Sequence, residues 1–591
     1  MGGIIGKLSF DHDETLALPA LEQMLATLRH RGSAGTGFYV APGIALGWCG
    51  GERSPITRPA VATNEDETVR VVTDSALTHT VTLRHELETS GHRVRGRSDA
   101  DLIAHAYDEW GDGCVEHLRG AFACAIWDER QQRLLLARDR IGVRPLFYAV
   151  LHGHGIVFGS EIRALLQDPG VGRDWCPAAI DSYLALGYVP APLTAYQRIS
   201  KLEPAQLLVV DGRRLHLSQY WDLPQRTETS ERGIEDALDA TLQAASREHL
   251  ANPEITAALY SGGLVSSALL AASPAGLDAV LMATGDDPAE LDRATAAAKH
   301  LGAMPYIEHA QPDVAAMAQQ VASHLDEPLA DPRAVSHYAA LIAARLRTRN
   351  ALAGYGASAF WHGWTAPVLN VDPHAFTLWD DADRRGLYTR GFAWQVRDSD
   401  PFSRLRDLLA ARPADDAIGR ALYVAARTSL PDSRLAMVDR MSVAAGVELH
   451  LPFLDRDVIE LACRLCPRPD RSRARRIDPI AAVLARRLPV ALMPTTRVTR
   501  NCTAPGSTRL PWLPAALHAL VPAVLLAPRF DGRGIVSRPV IRQLWEDHAA
   551  GRTDHSHRLW SLLMLEFWFR EYIDGDTAVD EPFEYAILRA A

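Results

Sequence analysis

Lysine is almost missing from this chain. Lys7, Lys201 and Lys299 are its only three in 591 residues, and arginine supplies the remaining basic charge. A catalytic ammonium is therefore excluded from everything after position 299. Positive charge is also in deficit overall, and a net charge of −10 argues against a nucleic-acid surface as the main function. Long apolar runs are lacking as well: the most extended, Leu513 to Ala527, carries Pro514, His518 and Pro522 and falls short of a membrane span. The start, Met1-Gly2-Gly3-Ile4-Ile5-Gly6, breaks too soon for a secretory leader, and Gly6 fails the myristoylation pattern. Cysteine is sparse and odd in number, seven in all, which points to reduced thiols in a cytoplasm. Cys463 and Cys466 lie in a helical pattern with no second pair, so they read as buried thiols and not as a zinc site. The expectation is a cytoplasmic protein with a small-molecule substrate and neither a nucleic-acid nor a membrane partner.

What is present is ordinary globular composition, 47% apolar and 23% charged, in a chain long enough for two or more domains. The first part alternates short apolar strands with turns and two helical stretches, about 14–30 and 99–118. Leu118 to Asp128 reads as a buried strand that pairs with Leu134 to Arg138 in a hairpin. After a polar connector at 223–231 the pattern turns helix-rich, with apolar strands at 255–259, 279–282 and near 350–353. That alternation predicts a parallel α/β domain whose ligands sit at the carboxyl ends of the strands.

One stretch stands at such an end. Tyr260-Ser261-Gly262-Gly263-Leu264-Val265-Ser266-Ser267 follows a strand and opens a helix. Its backbone N–H groups and the helix dipole suit a phosphate, so Ser261, Gly262, Gly263, Ser266 and Ser267 are the candidate anion- or nucleotide-binding residues. The pattern alone is weak, because a tight structural turn has the same residues.

Together with Asp326-Glu327-Pro328-Leu329-Ala330-Asp331-Pro332, Leu430-Pro431-Asp432, Asp439-Arg440-Met441-Ser442 and Glu448-Leu449-His450-Leu451-Pro452-Phe453-Leu454-Asp455, this loop resembles the asparagine synthetase family. The N-terminal part resembles that family's glutaminase domain through Leu28 to Gly37, Ala137 to Tyr148, Gly159-Ser160-Glu161-Ile162, Gly187 to Pro192 and Leu202-Glu203-Pro204. The resemblance implies an N-terminal-nucleophile-type αββα sandwich over 1–222, a linker at 223–231, and an ATP-pyrophosphatase parallel α/β domain over 232–591.

The chemistry the resemblance implies lacks its residues. Family members hydrolyse glutamine with a cysteine directly after the initiator methionine; here Gly2 stands there. Cys49 falls where the family places a substrate-pocket arginine, and Thr73-Asp74-Ser75 where it places an Asn-Gly-Glu segment that supplies an oxyanion-hole side chain. Of the glutamine-binding positions, only Asp99 still matches. In the nucleotide loop the family's acid is Val265. The second acidic loop reads Gly354-Tyr355-Gly356-Ala357-Ser358-Ala359-Phe360-Trp361-His362-Gly363-Trp364, with Tyr355, Ser358 and Ala359 in place of carboxylates. Hard Mg²⁺ needs oxygen ligands, and adenylation needs the charge they hold in place. The family's late lysine has Arg497 as its nearest counterpart. Asp326, Glu327 and Asp331 remain as acids, each read first as a loop cap or an ion pair.

No cofactor is assigned: ATP and Mg²⁺ are what the resemblance offers, and the exchanged carboxylates argue against both. No metal site is expected. Tyr355, Phe360, Trp361 and Trp364 suggest an aromatic lining for the pocket, which Val265, Gly354, Ser358, Asp331 and Arg497 complete. His450, Tyr355 and His362 are the candidate acid–base groups, each weighed against a structural role. Three functions remain open: a repurposed enzyme of specialised metabolism acting on a small, pre-activated substrate; an ATP-dependent amide-bond former using an amine, resembling β-lactam synthetases and lasso-peptide cyclases; or a non-catalytic partner of an active paralogue. A homodimer or a complex with such a paralogue is the partner expectation.

Overall fold

The structure, a computed structural model, describes residues 2–11, 16–32, 35–50, 61–225, 233–283, 288–309, 313–361, 377–412, 415, 417–465, 478–494, 510 and 512–576. They cluster into two compact units. The first takes Met1–Asp174, Ala191–Leu223 and Leu454–Arg456; the second takes Trp175–Pro190, Pro224–Phe453 and Asp457–Ala591.

The first unit holds twelve described strands: β1 (Gly2–Ser9), β2 (Gly35–Ala41), β3 (Ile44–Gly50), β4 (Ala62–Thr63), β5 (Val69–Thr78), β6 (Arg119–Asp128), β7 (Arg133–Arg138), β8 (Phe147–Leu151), β9 (Gly155–Gly159), β10 (Ser200–Lys201), β11 (Gln206–Asp211) and β12 (Arg214–Gln219). They pair into two sheets, ordered β10-β8-β9-β1-β3-β2 and β12-β11-β7-β6-β5-β4. Strand β6 shows why its sequence is apolar throughout. Its alternate residues Ala123, Ala125 and Trp127 pack between the sheets with Ile4, Leu46 and Phe158. The intervening Phe122, Cys124 and Ile126 pack outward with Leu83, Leu102 and Ile103, from the helices Thr80–Thr89 and Asp99–Trp110. A period-two strand covered on both faces must be hydrophobic at every position. Helix Leu18–Ala26 packs on β1 and β3, which completes the expected αββα sandwich.

The helix expected over 99–118 starts where expected and stops early. Ser98 and Asp101 form a reciprocal capping box, with N–H···O distances of 3.2 and 3.0 Å. Gly111, at φ +57°, ends the helix, and a short separate helix, Cys114–His117, follows.

The second unit is built on a five-stranded parallel sheet: β13 (Ala257–Tyr260), β14 (Asp278–Ala283), β15 (Met304–His309), β16 (Asn350–Leu352) and β17 (Glu448–His450), ordered β15-β14-β13-β16-β17. The three expected strands form its centre. The helix Ser556–Trp568 is buried on more than one face: Leu559, Leu562 and Leu565 are as buried as Trp560, Leu563, Met564 and Phe567. Glu566 shares that interior, paired with Arg533 at 2.9 Å and Arg570 at 2.7 Å. Helix Pro177–Leu186 also belongs to this unit, where the Tyr183 hydroxyl donates to the Ser561 carbonyl at 2.7 Å. No described helix is long and apolar enough to cross a membrane.

Candidate functional site

Strand β13 ends at Tyr260, and Gly263 caps the helix Leu264–Ala272. The turn between them is closed by its own serines. Ser266 Oγ lies 3.1 Å from Ser261 Oγ, accepts the Ser261 N–H at 3.2 Å and donates to the Gly263 carbonyl at 3.1 Å. Ser267 is fully buried and meets the Tyr260 hydroxyl at 3.3 Å, so it faces the interior. Gly262, at φ +71°, is required twice over: a Cβ there would also lie 2.6 Å from the Ala294 Cβ. What the turn offers a ligand is the first-turn N–H groups of the helix, which have no acceptor within it.

The second loop leaves β16 and runs directly against this turn. The Val265 Cγ1 lies 2.5 Å from where a Cβ on Gly354 would stand, so valine and glycine fit as a pair. Beyond Gly354, the short helix Ala357–Phe360 presents Ser358 to Arg434, whose Nη1 donates to Ser358 Oγ at 2.7 Å. Arg434 sits in a π-helical turn, Leu430–Leu435. A guanidinium therefore faces a position where the family resemblance expects a carboxylate. Beside it, the Tyr355 hydroxyl lies 3.2 Å from Nδ1 of His337, and Asp331 is paired with Arg333 at 2.8 Å. Arg333 and His337 open the helix Arg333–Arg345 one turn apart.

Burial, then the charge of Arg333, pushes His337 down to about 4, while burial raises Tyr355. At neutral pH the pair is a neutral imidazole and a neutral phenol, able to position a polar group through hydrogen bonds. The unfolded chain holds a proton on His337 up to the ordinary 6.5, and the folded chain only to about 4. Stability from the neutral ring is thus complete above about pH 6.5 and lost as pH falls toward 4. Urea denaturation of His337→Gln across pH 4–7 should show a flatter stability curve than the unaltered chain; parallel curves would contradict this.

The structure sets Gly354 against Val265, Tyr355 beside His337, and Ser358 beside Arg434, and of these His337 and Arg434, like Arg333, were not among the sequence candidates. It corrects two expectations. Trp361 and Phe360 are both fully buried, so they fill the interior and do not line a mouth. His450 points back along the sheet: its Nε2 lies 3.4 Å from the Asn350 side chain at the start of β16, and its ring stacks edge-on with His249 at 5.9 Å. His450 is the last residue of the edge strand β17, opposite Leu352 at the end of β16, and these contacts turn its ring back from that end into packing with Asn350 and His249. His362, Trp364 and Arg497 lie outside the described residues. The acids left over as metal ligands are engaged: Asp326 accepts from Arg440 at 2.8 Å, and Asp331 is held by Arg333. The residues present at these two loops do not fit a Mg²⁺ ion, because among the described positions carboxylate oxygens are replaced by Val265, Ser358, Ala359 and a guanidinium.

The first unit has its own centre, at the head of β1. Arg31, 1% exposed, donates to the Gly2 carbonyl at 2.8 Å, to Glu161 at 2.9 Å and to Asp74 at 3.1 Å. Asp74 also accepts the Gly2 N–H at 3.1 Å, and His30 meets Glu161 at 2.9 Å. Asp99 is taken up by the protein itself, accepting from the Ser75 hydroxyl at 2.9 Å and the Leu77 N–H at 3.0 Å. Cys49, opposite Gly3 in the sheet, is fully buried and donates to the Leu28 carbonyl at 3.4 Å. Burial pushes its thiol up to about 12, the reverse of what a nucleophile needs.

The folds and centres define a two-part protein, an amidotransferase-type sandwich and a nucleotide-type α/β unit. Residues 1–221 match the glutamine amidotransferase domain family, and residues 237–570 match the asparagine synthase family. The chain belongs to the asparagine synthase family. It is 30% identical over 285 residues to glutamine-hydrolyzing asparagine synthetase 3 of Bacillus subtilis (strain 168), covering 46% of this chain and 45% of that one. To asparagine synthetase 1 of the same organism it is 23% identical over 555 residues, 85% of this chain and 86% of that one. A putative asparagine synthetase of Mycobacterium tuberculosis H37Rv is 26% identical over 558 residues, 85% and 84% of the two chains. The match thus spans less than half of the first relative's length and over four fifths of the other two.

Proposed function

We propose that this chain has kept the frame of its family and been repurposed. On this reading it binds a small anionic substrate, already activated, and works on it without hydrolysing glutamine and without Mg–ATP adenylation. The observation that carries this is the Arg434–Ser358 hydrogen bond, 2.7 Å long. A fixed cation at that position repels Mg²⁺ and attracts a phosphate or carboxylate directly, through charge-assisted hydrogen bonds worth about 1.5–3 kcal/mol. The first-turn amides after Gly263 supply the second set of donors, and His337 with Tyr355 supplies neutral hydrogen bonds to orient the rest of the molecule. In the first unit the buried thiol of Cys49 and the side-chain-free Gly2 support the loss of glutamine chemistry.

An amide-forming ligase that takes an amine in place of glutamine is the second reading, favoured by the match to asparagine synthetases along most of the chain. The two separate cleanly. On the first, pyrophosphate binds in the presence of EDTA, and Arg434→Ala weakens it roughly tenfold or more, while glutamine gives no glutamate. Pyrophosphate binding that requires Mg²⁺ and ignores Arg434, or glutamate released above the uncatalysed rate, would contradict it.

A further inference from the structure

Three side chains from separate segments of the first unit converge. Glu65 lies in the turn between β4 and β5, His92 in the segment between the helices Thr80–Thr89 and Asp99–Trp110, and His105 within the second of these. Glu65 Oε2 stands 3.0 Å from Nδ1 of His105 and 3.6 Å from Nδ1 of His92. One ligand atom from each residue lies within 4.8 Å of the other two. We propose that Glu65, His92 and His105 form a zinc site that ties these three segments together.

The spacing fits the ion. Zinc bonds of about 2.0–2.1 Å in a tetrahedron place ligand atoms about 3.3 Å apart, between the two distances to Glu65. The second observation is His105 itself. It is 4% exposed, and its Nδ1 has no hydrogen-bond partner although the Glu65 carboxylate is 3.0 Å away. A buried ring nitrogen this close to a carboxylate, yet out of line for a hydrogen bond with it, is placed to share an ion with it.

The surroundings match a built ligand set. The Arg93 N–H donates to Glu65 Oε1 at 2.7 Å, which fixes the carboxylate and turns its other oxygen toward the rings. His92 meets Glu109 with its remaining nitrogen, Nε2, at 3.1 Å; Glu109 lies one turn beyond His105 on the same helix. A carboxylate on the far nitrogen is the usual device for orienting a metal-bound histidine. Glu65, with about a third of its side chain exposed, leaves an open side for a water as fourth ligand. Two imidazoles and one carboxylate select zinc over Mg²⁺ and Ca²⁺, which take oxygen ligands.

The test uses tag-free, full-length protein stripped with EDTA and titrated with zinc chloride, followed by metal analysis after dialysis. One zinc per chain is expected, with a rise in melting temperature of several degrees. Glu65→Gln and His92→Gln should each weaken zinc binding at least tenfold with an unchanged circular dichroism spectrum. Glu65 is the more accessible position, so its variant decides the matter even if a histidine variant folds poorly. No zinc retained, or retention that Glu65→Gln leaves unaltered, would overturn the proposal in favour of a metal-free His–Glu ion pair.

Discussion

Arg31→Ala is expected to cost roughly 3–5 kcal/mol, the largest single-residue effect in the first unit. The reason is what stays behind. Asp74 is 1% exposed and Glu161 0%, and one guanidinium pairs with both buried carboxylates. Glu161 retains His30 and Arg163, the latter at 3.0 Å, whereas Asp74 retains the Gly2 N–H and an Arg144 contact of 3.7 Å. The uncompensated charge therefore falls mainly on Asp74. Hydrogen exchange of the β1 and β3 amides reads this unit alone, and their opening free energy should fall by the stated amount. Arg31→Ala/Asp74→Asn should recover a good part of it, because a neutral amide does not need the lost cation. A loss under about 1 kcal/mol would mean that water reaches the centre and that the ion pairs are ordinary surface ones.

Gly354→Ala should destabilise the second unit by about 1–3 kcal/mol, the cost of overpacking a close-packed contact. A Cβ would stand 2.5 Å from Val265 Cγ1, nearer than real carbon atoms approach. The double variant Val265→Ala/Gly354→Ala removes the clash and should regain most of the loss, giving a coupling energy within the range of about 0.5–3 kcal/mol seen for touching residues. Additive losses would show that the two loops are not in contact, and would separate Val265 from the exchanged carboxylates of the partner loop.

The fold was legible where burial is two-sided or periodic. Strand β6 carries an unbroken apolar run because both its faces are covered, and β13 is apolar throughout. The sheet edges were not legible. Strand β15 reads Met-Pro-Tyr-Ile-Glu-His, with Met304 59% and Ile307 40% exposed, and its proline is tolerated because only one side of an edge strand needs pairing. Strand β17 is three residues long, too short to show a period. In the site, Val265, Tyr355, Ser358 and Ala359 stand in the motifs themselves, at positions where the family resemblance implies carboxylates. Their complement was hidden: Arg434 lies 76 residues beyond Ser358, and only the fold brings the two together. His337 carried a weaker signal, one turn after Arg333 at a helix start. The aromatic run at 355–361 misled because aromatic residues serve an interior and a pocket mouth equally, and the turn after Ala357 sends Phe360 and Trp361 inward. His450 misled for a related reason. It sits inside a motif, but alternation along β17 aims its ring back toward Asn350.

The central claim is that this α/β unit has exchanged metal-dependent nucleotide chemistry for direct anion recognition. Calorimetric titration of the full chain with ATP, with and without Mg²⁺, tests it most directly, beside a Val265→Asp/Ser358→Asp double variant. The account predicts that Mg²⁺ adds nothing to ATP binding by the unaltered chain, and that binding becomes Mg²⁺-dependent in the double variant as carboxylates return. Tight, Mg²⁺-dependent ATP binding by the unaltered chain would contradict it.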